Sequence, residues 1–100
     1  MRNQTASKKP EFISPEEPLS GEIDNIKRHD YLWDHYLVIR IDKSGNSGEP
    51  LEGALVGYTK DRLIAYTKLR ELREGSVDKE HYIDFAHSQS DKKTKEIFIV

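Results

Sequence analysis

Cysteine is absent from this 100-residue chain. Its absence excludes disulfides, thiolate catalysis and zinc sites built on cysteine. Long apolar runs are absent too, since nothing approaches the roughly 20 residues that cross a bilayer. The first residues also lack the apolar core of a secretion signal. We therefore expect a cytoplasmic protein without a membrane partner.

The chain has no strong surplus of charge of either sign. It carries 16 basic and 18 acidic residues, for a formal net charge of −2. A domain that binds nucleic acid through bulk electrostatics is usually distinctly basic. Hydrophobic residues make up 35% of the chain and charged residues 34%, which is polar for a globular protein. Charge alone therefore selects no class of partner.

The polar excess is concentrated at the N-terminus. Residues 1–21 contain Pro10, Pro15 and Pro18, and their apolar side chains follow no period. Such a segment buries too little apolar surface to offset the entropy lost on ordering. We predict a flexible tail over residues 1–21 and a single α+β domain over residues 22–100.

The clearest pattern in the domain predicts an amphipathic helix ending near Gly75. Thr59 is placed to cap its N-terminus, because a threonine hydroxyl can accept a hydrogen bond from an amide of the first turn. Ala65, Leu69 and Leu72 then recur at helical spacing. Neither proline nor glycine interrupts the segment, and Gly75 suits the helix end.

Strand patterns lie on both sides of that helix. Alternating or β-branched residues predict strands over Tyr36–Asp42, Glu52–Tyr58, His81–His87 and Glu96–Val100. The glycine-rich segment 43–50 predicts a hairpin loop between the first two. Ile23 and Ile26 further predict a turn or two of helix before them. The predicted fold is ββαββ, with one central helix packed on a mainly antiparallel four-stranded sheet.

A single helix covers only one face of such a sheet. We assigned one alternating set, which includes Leu37, Ile39 and Ile41, to the helix side. The opposite face then carries an aromatic and β-branched set that is unusual for a face exposed to water. The residues predicted to form an interaction surface there are Tyr36, Val38, Tyr58, Tyr82 and Phe98.

Three interpretations of that face remain open. The N-terminal helix, Trp33 and the tail could fold over it, or it could form a homodimer or partner interface. It could also stack on the bases of single-stranded nucleic acid. In that case basic residues of the helix and the last turn would contact the backbone, namely Lys60, Arg62, Lys92 and Lys93.

The histidines form two spaced pairs, His29 with His35 and His81 with His87. Neither pair has the spacing of a recognised metal motif, and a strand separates residues 81 and 87 too widely to share one ion. No serine lies in a nucleophile elbow. We therefore expect no metal, no cofactor and no catalytic residues.

From sequence we expect a small, non-enzymatic binding or regulatory module that self-associates or binds a protein partner. The alternative is a nucleic-acid-binding accessory protein that uses the sheet aromatics and the basic residues. A metal-dependent or hydrolytic enzyme is the third class, and it would require His29, Asp30, Asp34 and His35 to converge in one cleft.

Overall fold

A computed structural model describes residues 11–75 and 79–88 of the chain. In chain order, the elements there are β1 (Ser20–Glu22), α1 (Ile23–Ile26), a 3-10 turn (Asp30–Leu32), β2 (Tyr36–Ser44), β3 (Pro50–Thr59), α2 (Arg62–Gly75) and β4 (Glu80–Phe85). The strands form one antiparallel sheet in the order β1-β3-β2-β4. The predicted fold class, α+β with one main helix on a four-stranded antiparallel sheet, is confirmed.

The hairpin at the centre of the sheet matches its prediction, with both strands slightly longer. Its register shifts where Val38 pairs with Gly57 while Ile39 pairs with Leu55. Val56 is therefore the extra residue of a β-bulge, a device that bends a strand and increases its twist. In the connecting loop Gly48 has a φ of +86°, a conformation that glycine adopts without strain.

One strand of the sheet comes from an unexpected part of the chain. The predicted strand Glu96–Val100 lies outside the described residues, and the fourth described strand is β1. Upstream of β1, the backbone of Ile13 exchanges two hydrogen bonds with Tyr58, at 2.8 and 2.9 Å. The segment predicted as tail thus contributes residues that pair with the outer edge of β3, whose backbone groups would otherwise lack partners.

The main helix begins later than predicted, and its cap is a different residue. The Asp61 carboxylate accepts a hydrogen bond from the Leu63 amide at 2.8 Å, which is the role of an N-cap. Thr59 instead ends β3, and its hydroxyl accepts from the Asp61 amide at 3.1 Å. The prediction of Thr59 as N-cap was therefore wrong; Thr59 stabilises the turn that leads into the helix.

The assignment of sheet faces was also wrong. Leu37 and Ile39 belong to a core with Ile23, Ile26 and Leu32, so the N-terminal elements cover their face. Neighbouring residues of a strand point to opposite faces. Val38 therefore points to the α2 side, where Ala65 and Leu69 are buried.

The face opposite α2 is thus covered from within the chain. The residues that cover or border it are Leu19, Ile23, Ile26, Leu32 and Trp33. Trp33 is partly buried and packs against this core. Of the three interpretations of that face, the described residues match the first, in which the N-terminal elements fold over it.

Candidate functional site

The five residues predicted as an interaction surface do not form one surface. Val38 is fully buried, and cross-strand pairing with Phe85 places Tyr36 on the same α2 side of the sheet. Tyr58 and Tyr82 lie on the other face, packed against the N-terminal core. Phe98 lies outside the described residues. The bulge at Val56 moves Tyr58 to the face of Leu37, and the regular β2–β4 register places Tyr82 opposite Ile39. Alternation within each strand could not predict how the strands align with one another.

Exposed apolar residues occur instead on the outer side of α2. Leu63 is 74% exposed and Tyr66 is 50% exposed. The guanidinium carbon of Arg62 lies 5.8 Å from the Tyr66 ring centroid, within cation–π range. Beside these residues runs an open groove of about 550 Å³, lined by Phe12, Ser14, Leu63, Ile64, Thr67, Lys68 and Glu71. We call Leu63, Tyr66 and this groove the α2 patch.

The N-terminal segment forms one wall of the α2 patch because Gly57 lets it approach the sheet. A Cβ at Gly57 would collide with the Phe12 ring and with the carbonyl oxygen of Ile13. The ammonium of Lys68 lies 5.5 Å from the centroid of the same ring. The Phe12 side chain is thereby held between β3 and α2.

A second cleft lies on the other side of the N-terminal segment. It measures about 430 Å³ and is lined by Ile13, Ser14, Glu16, Glu17, Tyr31 and Tyr58. We call it the tyrosine cleft. The rings of Tyr31 and Tyr58 meet edge to face, with centroids 5.8 Å apart and planes at 69°. Two histidine rings extend this aromatic row, with His29 5.9 Å from Tyr31 and His35 5.2 Å from Tyr58.

The electrostatic environment of the tyrosine cleft is negative. Burial raises the pKa of the Tyr31 phenol, and the neighbouring Tyr58, Glu16 and Glu17 raise it further. Both carboxylates therefore lie near enough to Tyr31 to influence its hydroxyl. No lysine or arginine belongs to the lining given above, so no basic group of the described chain neutralises these acids within the cleft.

His29 and His35 flank the tyrosine pair, whereas His81 lies in β4 and His87 follows it. Nδ1 of His29 lies 3.2 Å from the Ile26 carbonyl oxygen, and Nδ1 of His35 lies 2.9 Å from that of Trp33. His81 is buried at the start of β4, whereas His87 is exposed and touches the Phe85 ring edge-on. Within residues 11–75 and 79–88, no three histidine or acidic side chains come together as metal ligands.

The basic residues of the nucleic-acid alternative are only partly described. Lys60 and Arg62 are exposed at the start of α2, and Arg62 is directed over Tyr66. Lys92 and Lys93 lie outside the described residues. The Tyr31 and Tyr58 rings, which could stack on bases, line a cleft whose charged residues are acidic. Phosphates would be repelled from it.

Sequence reasoning missed the two clefts because both depend on the N-terminal segment. Glu16 and Glu17 fall in the segment predicted as a flexible tail, and Tyr31 is not among the residues predicted as an interaction surface. The available signal was the concentration of aromatic residues at Tyr31, Trp33 and Tyr36, since exposed apolar patches often mark interaction surfaces. The pairing of Ile13 with Tyr58, which brings these residues together, has no signature in sequence.

Comparisons with protein families, with curated proteins and with solved structures found no match to this chain. Among the described residues, the helices are too short and too polar to cross a membrane.

Proposed function

We propose that the protein is a small non-enzymatic binding module that self-associates through the α2 patch. The observation that carries this proposal is the exposure of Leu63, which is 74% accessible on a helix whose opposite side is packed on the sheet. Tyr66 extends the apolar surface by one helical turn. Tyrosine is enriched among the residues that supply most of the binding energy at the centre of an interface.

A second copy of the chain suits this patch because it carries both a protrusion and a recess. Leu63 and Tyr66 project, while the groove between Phe12 and α2 lies directly beside them. In a two-fold dimer the same patch is used twice, so the protrusion of one copy enters the recess of the other. Arg62 adjoins the protrusion, and the recess carries one residue of each charge, Lys68 and Glu71, whose side chains lie 3.9 Å apart.

Sedimentation equilibrium or light scattering across the micromolar range tests the proposal. We expect the mass of a dimer for the wild-type chain and of a monomer for Leu63→Ser. The matched control is Leu51→Ser, which removes another exposed leucine, 41% accessible, outside the α2 patch, and should leave the dimer intact. A wild-type monomer at every concentration would overturn the proposal.

The same measurement distinguishes self-association from nucleic-acid binding. A wild-type monomer that shifts in mass only on adding single-stranded DNA or RNA at low salt would favour the nucleic-acid alternative. Dissociation of the dimer by Leu51→Ser as strongly as by Leu63→Ser would also count against the α2 patch.

A further inference from the structure

We propose that the tyrosine cleft binds an organic ammonium ion, with the cation against the rings of Tyr31 and Tyr58 and with Glu16 and Glu17 as its counter-charges. This site is independent of self-association, because the α2 patch lies on the other side of the N-terminal segment. Ser14 lines both the tyrosine cleft and the groove of the α2 patch.

The path of the N-terminal backbone forms this cleft. Ile13 pairs with Tyr58, and the Leu19 carbonyl next accepts a hydrogen bond from the Leu55 amide at 2.8 Å. Between these points residues 14–18 leave the edge of β3. Pro15 and Pro18 lack an amide hydrogen and so cannot donate to that edge. The two prolines thus favour an arch, and Glu16 and Glu17 lie at its exposed top.

The aromatic side of the cleft is suited to a cation. Both tyrosines line the cleft, their rings meet at 69°, and Tyr31 is 47% exposed. The face of an aromatic ring carries negative electrostatic potential, which attracts an ammonium group within about 6 Å. His29 and His35 pack against the two rings in edge-to-face contacts.

The charged residues of the cleft favour a positively charged ligand, and its apolar residues favour a ligand with alkyl groups. Two carboxylates disfavour any anion, because the described residues that line the cleft include no lysine or arginine. Ile13, which is exposed in the cleft lining, would hold alkyl groups better than the water shell of a small inorganic ion. A methylated ammonium combines positive charge with an apolar surface, and aromatic sites recognise such ions.

An NMR titration of the full chain with choline tests this proposal. We expect saturable shifts of the Tyr31 and Tyr58 signals. The neutral analogue 3,3-dimethylbutan-1-ol, which has the same shape without the charge, should bind at least about threefold more weakly, in line with the strength of a cation–π contact. Equal binding of the two compounds, or no saturable shift at either tyrosine, would overturn it.

Variants localise the binding. Tyr31→Leu should weaken choline binding about three- to tenfold, while Tyr31→Phe, which keeps the aromatic face, should retain it. The double variant Glu16→Gln with Glu17→Gln should bind choline more weakly than the wild type. This difference should grow as the salt concentration is lowered, because reduced screening strengthens binding only to the wild-type carboxylates. Tyr66→Leu, at the exposed tyrosine of α2, is the matched control and should change nothing; loss of binding in this control, or full binding by Tyr31→Leu, would contradict the assignment.

A second ligand tests whether the site recognises a free ammonium compound or an ammonium group on a peptide side chain. Nα-acetyl-trimethyllysine amide presents the same ammonium group on a lysine side chain with backbone amides. Binding of both compounds with similar affinity assigns the site to the ammonium group alone, as proposed. Binding of the lysine derivative with no binding of choline would show that the backbone amides carry the recognition, and would overturn the proposal.

Discussion

The ammonium of Lys27 lies 3.1 Å from a carboxylate oxygen of Asp84. The same oxygen accepts a hydrogen bond from the Tyr82 hydroxyl at 3.0 Å. Lys27 follows α1 directly, whereas Asp84 and Tyr82 belong to β4. This three-residue contact therefore joins the N-terminal covering elements to the edge of the sheet. Burial, followed by the charge and hydrogen bond of Asp84, raises the pKa of Tyr82 above its usual range.

Removing the Asp84 carboxylate, the shared acceptor, should destabilise the protein more than removing either of its donors, Lys27 or Tyr82. We expect Asp84→Ala to lower the free energy of unfolding by about 2 kcal/mol, because it leaves the Tyr82 hydroxyl without its partner. Tyr82→Phe should lower it by about 1 kcal/mol. Urea denaturation measures both changes.

The exposed pair of Arg40 and Asp42 provides the control for this contact. Its atoms lie 2.9 Å apart, close to the Lys27–Asp84 distance, but water screens the pair. Asp42→Ala should therefore leave the urea midpoint unchanged within error. A loss as large as that of Asp84→Ala would show that the Lys27–Asp84–Tyr82 contact has no special role.

His81 should make stability depend on pH near neutrality. Burial lowers its pKa, and the positive charges of Arg40 and Arg73 lower it further, against a backbone hydrogen bond at Lys79. The unfolded chain therefore takes up this proton first as the pH falls. The free energy of unfolding should decrease as pH drops through the usual histidine value of about 6.5, and the decrease should end below the folded-state pKa.

His81→Gln isolates that contribution. We expect the variant to lose the part of the pH dependence that lies between the usual histidine pKa and the lowered pKa of folded His81. Urea denaturation at several pH values measures the slope. His87→Gln, which changes an exposed histidine, should keep the wild-type slope; an unchanged slope in His81→Gln would contradict the assignment.

Local signals predicted the elements well, whereas long-range pairing was beyond them. The periodicity of Ala65 and Leu69 identified α2, and the glycine-rich loop identified the β2–β3 hairpin. Which sheet face α2 covers could not be read from alternation, because both faces of β2 are apolar. Leu37 and Val38 are equally buried, one under the N-terminal elements and the other under α2.

The candidate clefts were harder to predict because they depend on the edge of β3. Prolines interrupt any strand pattern in residues 11–21, so this segment was predicted to belong to the flexible tail. Its pairing depends on backbone groups of β3 that have no sequence signature. Tyr58 was identified as a surface candidate, but its neighbours Tyr31, Glu16 and Glu17 follow only from the pairing of Ile13 with Tyr58.

The corrected helix cap leads to a direct test. Asp61→Ala should lower the free energy of unfolding by about 1 kcal/mol, because the Leu63 amide loses its acceptor and the helix dipole loses a nearby negative charge. Asp61→Asn keeps the acceptor and should retain most of the stability. Thermal denaturation followed by circular dichroism measures both variants; equal losses would show that the charge, rather than the hydrogen bond, stabilises the helix start.

Two glycines should respond in opposite ways to the same substitution. A Cβ at Gly53 would collide with the carbonyl oxygen of Arg40 on the paired strand, and it would lie 3.1 Å from the Cγ2 atom of Ile39. Backbone in the middle of a sheet cannot move aside, so Gly53→Ala should lower the free energy of unfolding by about 1–3 kcal/mol. At Gly75 no described atom lies within 4 Å of the added carbon.

Gly75→Ala should therefore raise the free energy of unfolding by about 0.5–1 kcal/mol, because alanine restricts the unfolded chain and favours helix. Urea denaturation of both variants under one condition gives the comparison. A smaller loss at Gly53 than the gain at Gly75 would mean that β2 and β3 can separate at this point. The close approach of Arg40 to Gly53 would then not be what fixes the register of the central hairpin.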